Sequence, residues 1–176
     1  MKKILFVASE AVPFIKTGGL ADVVGSLPKY LDKRYFDARV ILPKYMCMKE
    51  EIRNSLEYIG DFYIDYAGSS KYVGVLKKEV EGVTFYFIDN EDYFIRRQAM
   101  TEDENGDEYA DNGERAIFFA RGVLETVKKL RWTPDIVQCQ GWMSAVVPFY
   151  IKTAYRDDPS FANTKVITSL FHNQFK

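Results

Sequence analysis

A doubly wound, mostly parallel α/β sheet with an inserted β-hairpin region is the fold that this 176-residue sequence predicts. Three observations predict it. Short apolar runs without alternation, typical of strands covered on both faces, recur at 4–9, 38–42, 136–139 and 165–170. Stretches with helical spacing stand between several of them. Between 62 and 89 the pattern changes to closely spaced strand-like runs joined by turn signals.

The first strand, 4–9, leads into a loop containing Pro13 and the pair Gly18-Gly19. From Gly19 onward Leu20, Val23, Val24, Leu27 and Leu31 recur at helical spacing, and Pro28 within that pattern predicts a kink or an early end. The second strand, 38–42, stops at Pro43. Runs at 62–66, 72–78 and 83–89, separated by Gly68-Ser69-Ser70 and Glu81-Gly82, read as a hairpin or meander. The acidic, polar segment 101–114 is expected to be a mobile surface loop. Ala116, Ala120, Val123, Leu124, Val127 and Leu130 define a long amphipathic helix. Pro134 then precedes the strand at 136–139; residues 143–155 read as helical, and 165–170 as the last strand, with His172 directly after it.

Size and composition allow one domain with a full core: hydrophobic residues make up 47% and aromatic residues 15%. The net charge of −1 gives no reason to expect nucleic acid or a membrane surface as partner. Cys47 and Cys139 lack metal-type spacing and read as reduced thiols of a cytoplasmic protein. The N-terminal apolar run is too short for a secretory signal, and no stretch approaches the roughly 20 apolar residues of a membrane span. No Asp-x-Asp element ends a strand, so neither a metal nor a cofactor is expected; Asp157-Asp158 reads as solvated surface.

The stretch Lys16-Thr17-Gly18-Gly19-Leu20-Ala21-Asp22-Val23 carries the chemistry. Adjacent glycines let backbone N–H groups approach an anion, a helix N-terminus adds partial positive charge, and Lys16 adds a full one. The combination suits the phosphates of a nucleotide or nucleotide sugar. It matches neither G-x-G-x-x-G nor G-x-x-x-x-G-K-[ST]. In doubly wound sheets ligands bind beyond the carboxyl ends of the strands. Three segments are expected there: 16–19, Gln140-Gly141-Trp142, and His172-Asn173.

These residues also carry a resemblance. The run from Ser9-Glu10 through Pro13 and Lys16-Thr17-Gly18-Gly19-Leu20-Ala21-Asp22-Val23, with Leu27-Pro28 after it, resembles the N-terminal signature of bacterial glycogen synthases and plant starch synthases. Arg39-Val40-Ile41-Leu42-Pro43-Lys44-Tyr45, Tyr86-Phe87-Ile88-Asp89, Tyr109-Ala110-Asp111-Asn112 with Arg115, Pro134-Asp135-Ile136-Val137, Trp142 and His172-Asn173 continue in that family's order. The resemblance implies a Rossmann-like N-terminal domain of a GT-B glycosyltransferase. It also implies transfer of glucose, with retention, from ADP-glucose or UDP-glucose to an α-1,4-glucan or maltooligosaccharide. On this reading residues 1–176 are one truncated domain, its nucleotide-binding partner domain is absent, and the fragment alone is expected to be inactive.

The resemblance assigns roles residue by residue. Lys16 lies near the donor phosphates, where an ammonium offsets charge on the departing diphosphate; the bland reading is a solvated loop lysine. Gly18 and Gly19 face the pyrophosphate, or form only a turn. Asp22 lies close to the sugar, or simply complements the helix dipole. His172, the single histidine, contributes to catalysis by polar contact at the transferred glucose, with Asn173 beside it. Tyr109 and Asn112 match a block near the acceptor or cleft, although surface tyrosines in loops are common. One departure stands out. The family places histidine and then aspartate before the tryptophan, and here the positions are Gln140 and Gly141. Gln140 can bond a sugar hydroxyl without supplying charge, and Gly141 can do neither. The departure motivates an alternative, a non-catalytic carbohydrate-binding or regulatory domain that kept the fold and lost the activity. An unrelated α/β nucleotide binder is a third possibility, opposed by the missing G-x-G-x-x-G.

Overall fold

The computed structural model describes residues 1–171. Its strands are β1 (Lys2–Ala8), β2 (Phe36–Pro43), β3 (Glu57–Tyr66), β4 (Ser69–Val80), β5 (Val83–Asp89), β6 (Ile136–Gln140) and β7 (Lys165–Ser169). The helices are α1 (Gly19–Tyr30), α2 (Glu50–Asn54), α3 (Asn112–Leu130) and α4 (Val147–Lys152). All seven strands form one sheet in the order β3-β4-β5-β2-β1-β6-β7. From β5 to β7 neighbouring strands are parallel; β4 is antiparallel to both β5 and β3. The expected doubly wound sheet is present, and the expected insertion is a meander that extends it at one edge.

Local chemistry explains the pieces. Leu5, Phe6, Val7 and Ala8 are buried, as a central strand with both faces covered requires. Both meander turns are two-residue turns with positive φ throughout: Ala67 at 50° and Gly68 at 76°, then Glu81 at 51° and Gly82 at 76°. That backbone twist matches the twist of the strands it joins. The two faces of β5 are covered by different elements. Phe14, from the loop before α1, packs on Phe85 and Phe87 with ring centroids 4.8 Å away in each case. Ile88 points to the other face, where Gly122 lets α3 approach it.

Some details differ from expectation. In α1 the buried residues are Ala21, Val24, Gly25 and Pro28, whereas Val23 and Leu27 are exposed. The helix packs on its small residues because the preceding loop, not the sheet alone, lies against it. Pro28 cannot donate to Val24 O, and the helix ends two residues later at Tyr30, with extended backbone at Leu31, the early end predicted from the sequence. The expected helix over 143–155 is divided into a 3₁₀ turn, Trp142–Ser144, and the short α4.

The sheet has its topological switch at β1: β2 lies on one side of it and β6 on the other. Ala8 pairs with Gln140, and Gln140 pairs with Ser169. The carboxyl ends of β1, β6 and β7 therefore stand side by side, where ligands bind in such sheets. Asp135 marks the opposite end. Its carboxylate accepts the Lys3 N–H at 2.8 Å, and its backbone N–H donates to Lys3 O at 2.8 Å. It fastens the amino ends of the strands, away from the crevice.

Candidate active site at the ends of β1 and β6

The loop after β1 folds around a buried carboxylate. Glu10, only 3% exposed, accepts the Thr17 N–H at 2.6 Å, the Thr17 hydroxyl at 2.7 Å and the Gly18 N–H at 3.2 Å. The Val12 N–H donates to Ala21 O at 3.0 Å, which ties the loop to α1. Gly25 permits that contact: a Cβ there would lie 2.5 Å from Val12 O.

Gly18 and Gly19 behave differently. Neither has a left-handed φ, a Cβ on Gly18 would meet only Glu10 Oε1 at 3.8 Å, and a Cβ on Gly19 would meet nothing within 4 Å. The fold therefore does not require glycine at either position. Gly18 is the N-cap of α1, in extended backbone and without a side-chain cap. Among the described residues, the N–H groups of Gly19 and Leu20 have no acceptor. They are unpaired first-turn donors at the positive end of the helix. Lys16 Nζ stands 2.7 Å from Asp22 Oδ2, and each side chain is 52% exposed.

The end of β6 is locked to the end of β1. The Ser9 N–H donates to Gln140 O at 3.2 Å, and Ser9 Oγ accepts the Met143 N–H at 3.1 Å. Gly141 has φ 87°, and a Cβ there would lie 2.5 Å from Ser9 Oγ and 2.7 Å from Leu20 Cδ2. Here glycine is demanded twice, by backbone and by space. Gln140 is buried, and its Oε1 has no hydrogen-bond partner among the described residues. A buried unpaired acceptor is costly, by about 1–3 kcal/mol.

Residues 101–111 form the expected surface loop, held by internal hydrogen bonds, and 112–114 open α3. Arg115, fully buried at the start of α3, donates from Nε to Tyr93 O at 2.7 Å and from Nη1 to Met100 O at 2.7 Å and Asn112 Oδ1 at 2.8 Å. Burial lowers its pKa from the ordinary arginine value. Thr101 O accepts from Asn112 Nδ2 at 2.8 Å and from the Tyr109 N–H at 2.9 Å. Arg97 pairs with Asp111, and the guanidiniums of Arg97 and Arg115 lie 5.0 and 5.3 Å from the Tyr109 ring centroid. The acidic composition hid this order because the organising group lies just outside the segment.

The family model for the starch synthase catalytic domain matches residues 3–176. The chain belongs to that family. The chain is 43% identical over 176 residues to a glycogen synthase from Lachnospira eligens, covering 100% of the chain and 36% of that protein. It is 44% identical over 171 residues to a glycogen synthase from Clostridium perfringens, covering 97% of the chain and 34% of that protein. Its fold matches the catalytic domain of starch synthase IV from Arabidopsis thaliana, solved with ADP and acarbose, at a TM-score of 0.76. That match has 24% identity and covers 95% of this chain and 33% of the other. The chain thus spans about a third of the length of these relatives.

The fold sets the start of α1 beside the end of β6: Leu20 Cδ2 lies 2.7 Å from where a Gly141 Cβ would stand, so Gly18-Gly19 and Gln140-Gly141 are neighbours, with the Lys16–Asp22 pair on the same loop and first helical turn. Tyr109 stands instead on the loop before α3 and Asn112 is the first residue of α3, its side chain engaged by Thr101 and Arg115. His172 and Asn173 lie outside the described residues. Sequence reasoning missed Glu10 and Ser9 as site residues. A serine and a glutamate closing an apolar strand, just before a glycine loop, were the available signal.

Proposed function

We propose that this chain is the N-terminal domain of a retaining glucosyltransferase that extends an α-1,4-glucan from ADP-glucose or UDP-glucose. The observation that carries the reading is the open glycine pair. Gly18 and Gly19 need glycine neither for φ nor for packing. What remains to explain them is a ligand that approaches the backbone closely, beside the unpaired Gly19 and Leu20 N–H groups. A diphosphate fits that description. The ADP held by the Arabidopsis relative agrees with it, and its acarbose agrees with a glucan acceptor.

In this reading Lys16 leaves Asp22 for the donor phosphates. Exposed ion pairs contribute only about 0–1 kcal/mol, so the exchange is cheap. The lysine then stabilises charge on the departing diphosphate, and Asp22 is released towards the sugar. Gln140 Oε1 accepts a sugar hydroxyl, His172 and Asn173 supply polar contacts at the transferred glucose, and Tyr109 and Asn112 face the acceptor side. The second half of the cleft comes from chain beyond residues 1–176, so the domain alone has no appreciable turnover. The two cysteines, both unpaired, agree with a cytoplasmic protein.

Gly141 favours a second reading, a domain that binds glucan without transfer, because the carboxylate implied by the resemblance is absent there. One experiment separates the two. Glucosyl transfer to maltooligosaccharide is measured with the complete gene product and its Lys16→Ala and His172→Ala variants. The glucosyltransferase reading predicts activity in the parent and large losses in both variants. An inactive parent that still binds maltooligosaccharide favours the second reading. Full activity in both variants refutes the site assignment.

A further inference from the structure

We propose that Glu10 is a positioning residue that fixes the register of the Lys16–Leu20 loop and decides which of its donors meet the ligand. The ligand in this inference rests on the donor reading given above.

A carboxylate buried to this degree needs compensation for the water it has lost. Among the described residues no lysine or arginine forms an ion pair with it. Its partners are the Thr17 N–H at 2.6 Å, the Thr17 hydroxyl at 2.7 Å and the Gly18 N–H at 3.2 Å. Consecutive backbone N–H groups in a turn form an anion-binding concavity. Here the chain's own carboxylate fills it. A phosphate entering the loop therefore does not meet the Thr17 and Gly18 N–H groups. It meets the next two, Gly19 and Leu20, together with the Lys16 ammonium. Glu10 turns one half of the loop inward and presents the other half outward.

Glu10 also follows Ser9, whose Oγ accepts the Met143 N–H at 3.1 Å. Two consecutive residues thus hold the two loops of the crevice, Ser9 the β6 side and Glu10 the glycine side. The glycine loop is fixed before any ligand arrives, so binding need not order it.

The test uses the complete gene product with ADP as the probe. Amide hydrogen exchange over residues 15–20, ADP affinity and melting temperature are measured for the parent, Glu10→Ala, Glu10→Gln and Thr17→Val. Glu10→Ala is expected to raise exchange in 15–20 and to weaken ADP binding by about tenfold or more, equivalent to about 1.4 kcal/mol. Added formate, which can occupy the vacated carboxylate position, is expected to reverse both effects. Glu10→Gln, which keeps the shape and one acceptor oxygen, is expected to fall between, and Thr17→Val to show a smaller effect in the same direction. If Glu10→Ala does not fold, Glu10→Gln and Thr17→Val carry the same comparison. Unchanged exchange in 15–20 in the variants overturns the proposal. So does a loss of ADP binding that merely follows the melting temperature and ignores formate. A parent that binds neither ADP nor UDP refutes the donor reading instead, and the exchange and formate measurements still decide whether Glu10 fixes the loop.

Discussion

Replacing Gly19 by alanine separates stability from ligand binding at a single methyl group. The new Cβ would meet nothing within 4 Å, and the backbone is outside the left-handed region. Position 19 is also the first residue of a 12-residue helix. Alanine reduces the freedom of the unfolded chain and is expected to stabilise the fold by about 0.4–1 kcal/mol. In a domain of this size that corresponds to a rise in melting temperature of roughly 1–4 °C. On the donor reading, the added methyl enters the open space through which a diphosphate approaches the Gly19 and Leu20 N–H groups. Donor affinity should therefore fall by about tenfold or more, or 1.4 kcal/mol and upward. The assay pairs a thermal melt with the donor KM of the complete gene product. Gly25→Ala is the control. Its Cβ would lie 2.5 Å from Val12 O, so it should destabilise by about 1–3 kcal/mol, as overpacking does. A Gly19→Ala variant with parental donor KM, or one that melts well below the parent, would refute the reasoning.

Other substitutions probe the neighbouring features. Gly141→Asp, which installs the carboxylate implied by the family pattern, should destabilise by about 1–3 kcal/mol on melting. It should gain no transfer activity, because its Cβ meets Ser9 Oγ at 2.5 Å and φ is 87°. Arg115→Met strands the carbonyls of Tyr93 and Met100; it should cost about 3 kcal/mol or more and raise hydrogen exchange across 96–112. Cys139 is buried and its pKa is pushed up to about 12. A thiol reagent at neutral pH should therefore label exposed Cys47 in the native protein and Cys139 only after unfolding. The unfolded Cys139 thiol ionises first as pH rises. Its contribution to stability is thus fully present below pH 9.0 and lost progressively towards about 12, which denaturant melts in alkaline buffer will show.

β1, β2 and β6 were legible because continuous apolar runs have one economical explanation, burial on both faces; β7, read the same way, is a strand but an exposed one at the sheet edge, with Ile167 48% exposed. The meander was legible from Gly68 and Glu81-Gly82, where the turns require positive φ. The glycine loop was legible as an anion site, but its internal logic was not. Nothing in the spacing of Glu10 and Thr17 shows that a carboxylate folds back onto the Thr17 N–H and onto the Gly18 N–H, one of the two glycine groups expected to face phosphate. The apolar face of α1 was misjudged at Val23 and Leu27, because the helix buries its small residues against the Val12 loop. The acidic loop looked mobile because composition records charge and not the buried arginine that holds its two flanks, through Met100 O and the Asn112 side chain. At Gly141 the sequence suggests a lost side chain; the structure adds that Ser9 and Leu20 now fill its place.

The central claim is that the Lys16–Leu20 loop receives the donor diphosphate. Calorimetric titration of ADP into the complete gene product and its Lys16→Ala variant tests it most directly. Lys16 is half exposed and its ion pair with Asp22 contributes at most about 1 kcal/mol, so the variant should melt like the parent. The account predicts ADP binding to the parent and an affinity at least about tenfold weaker in the variant. Equal affinity in the two proteins would contradict it.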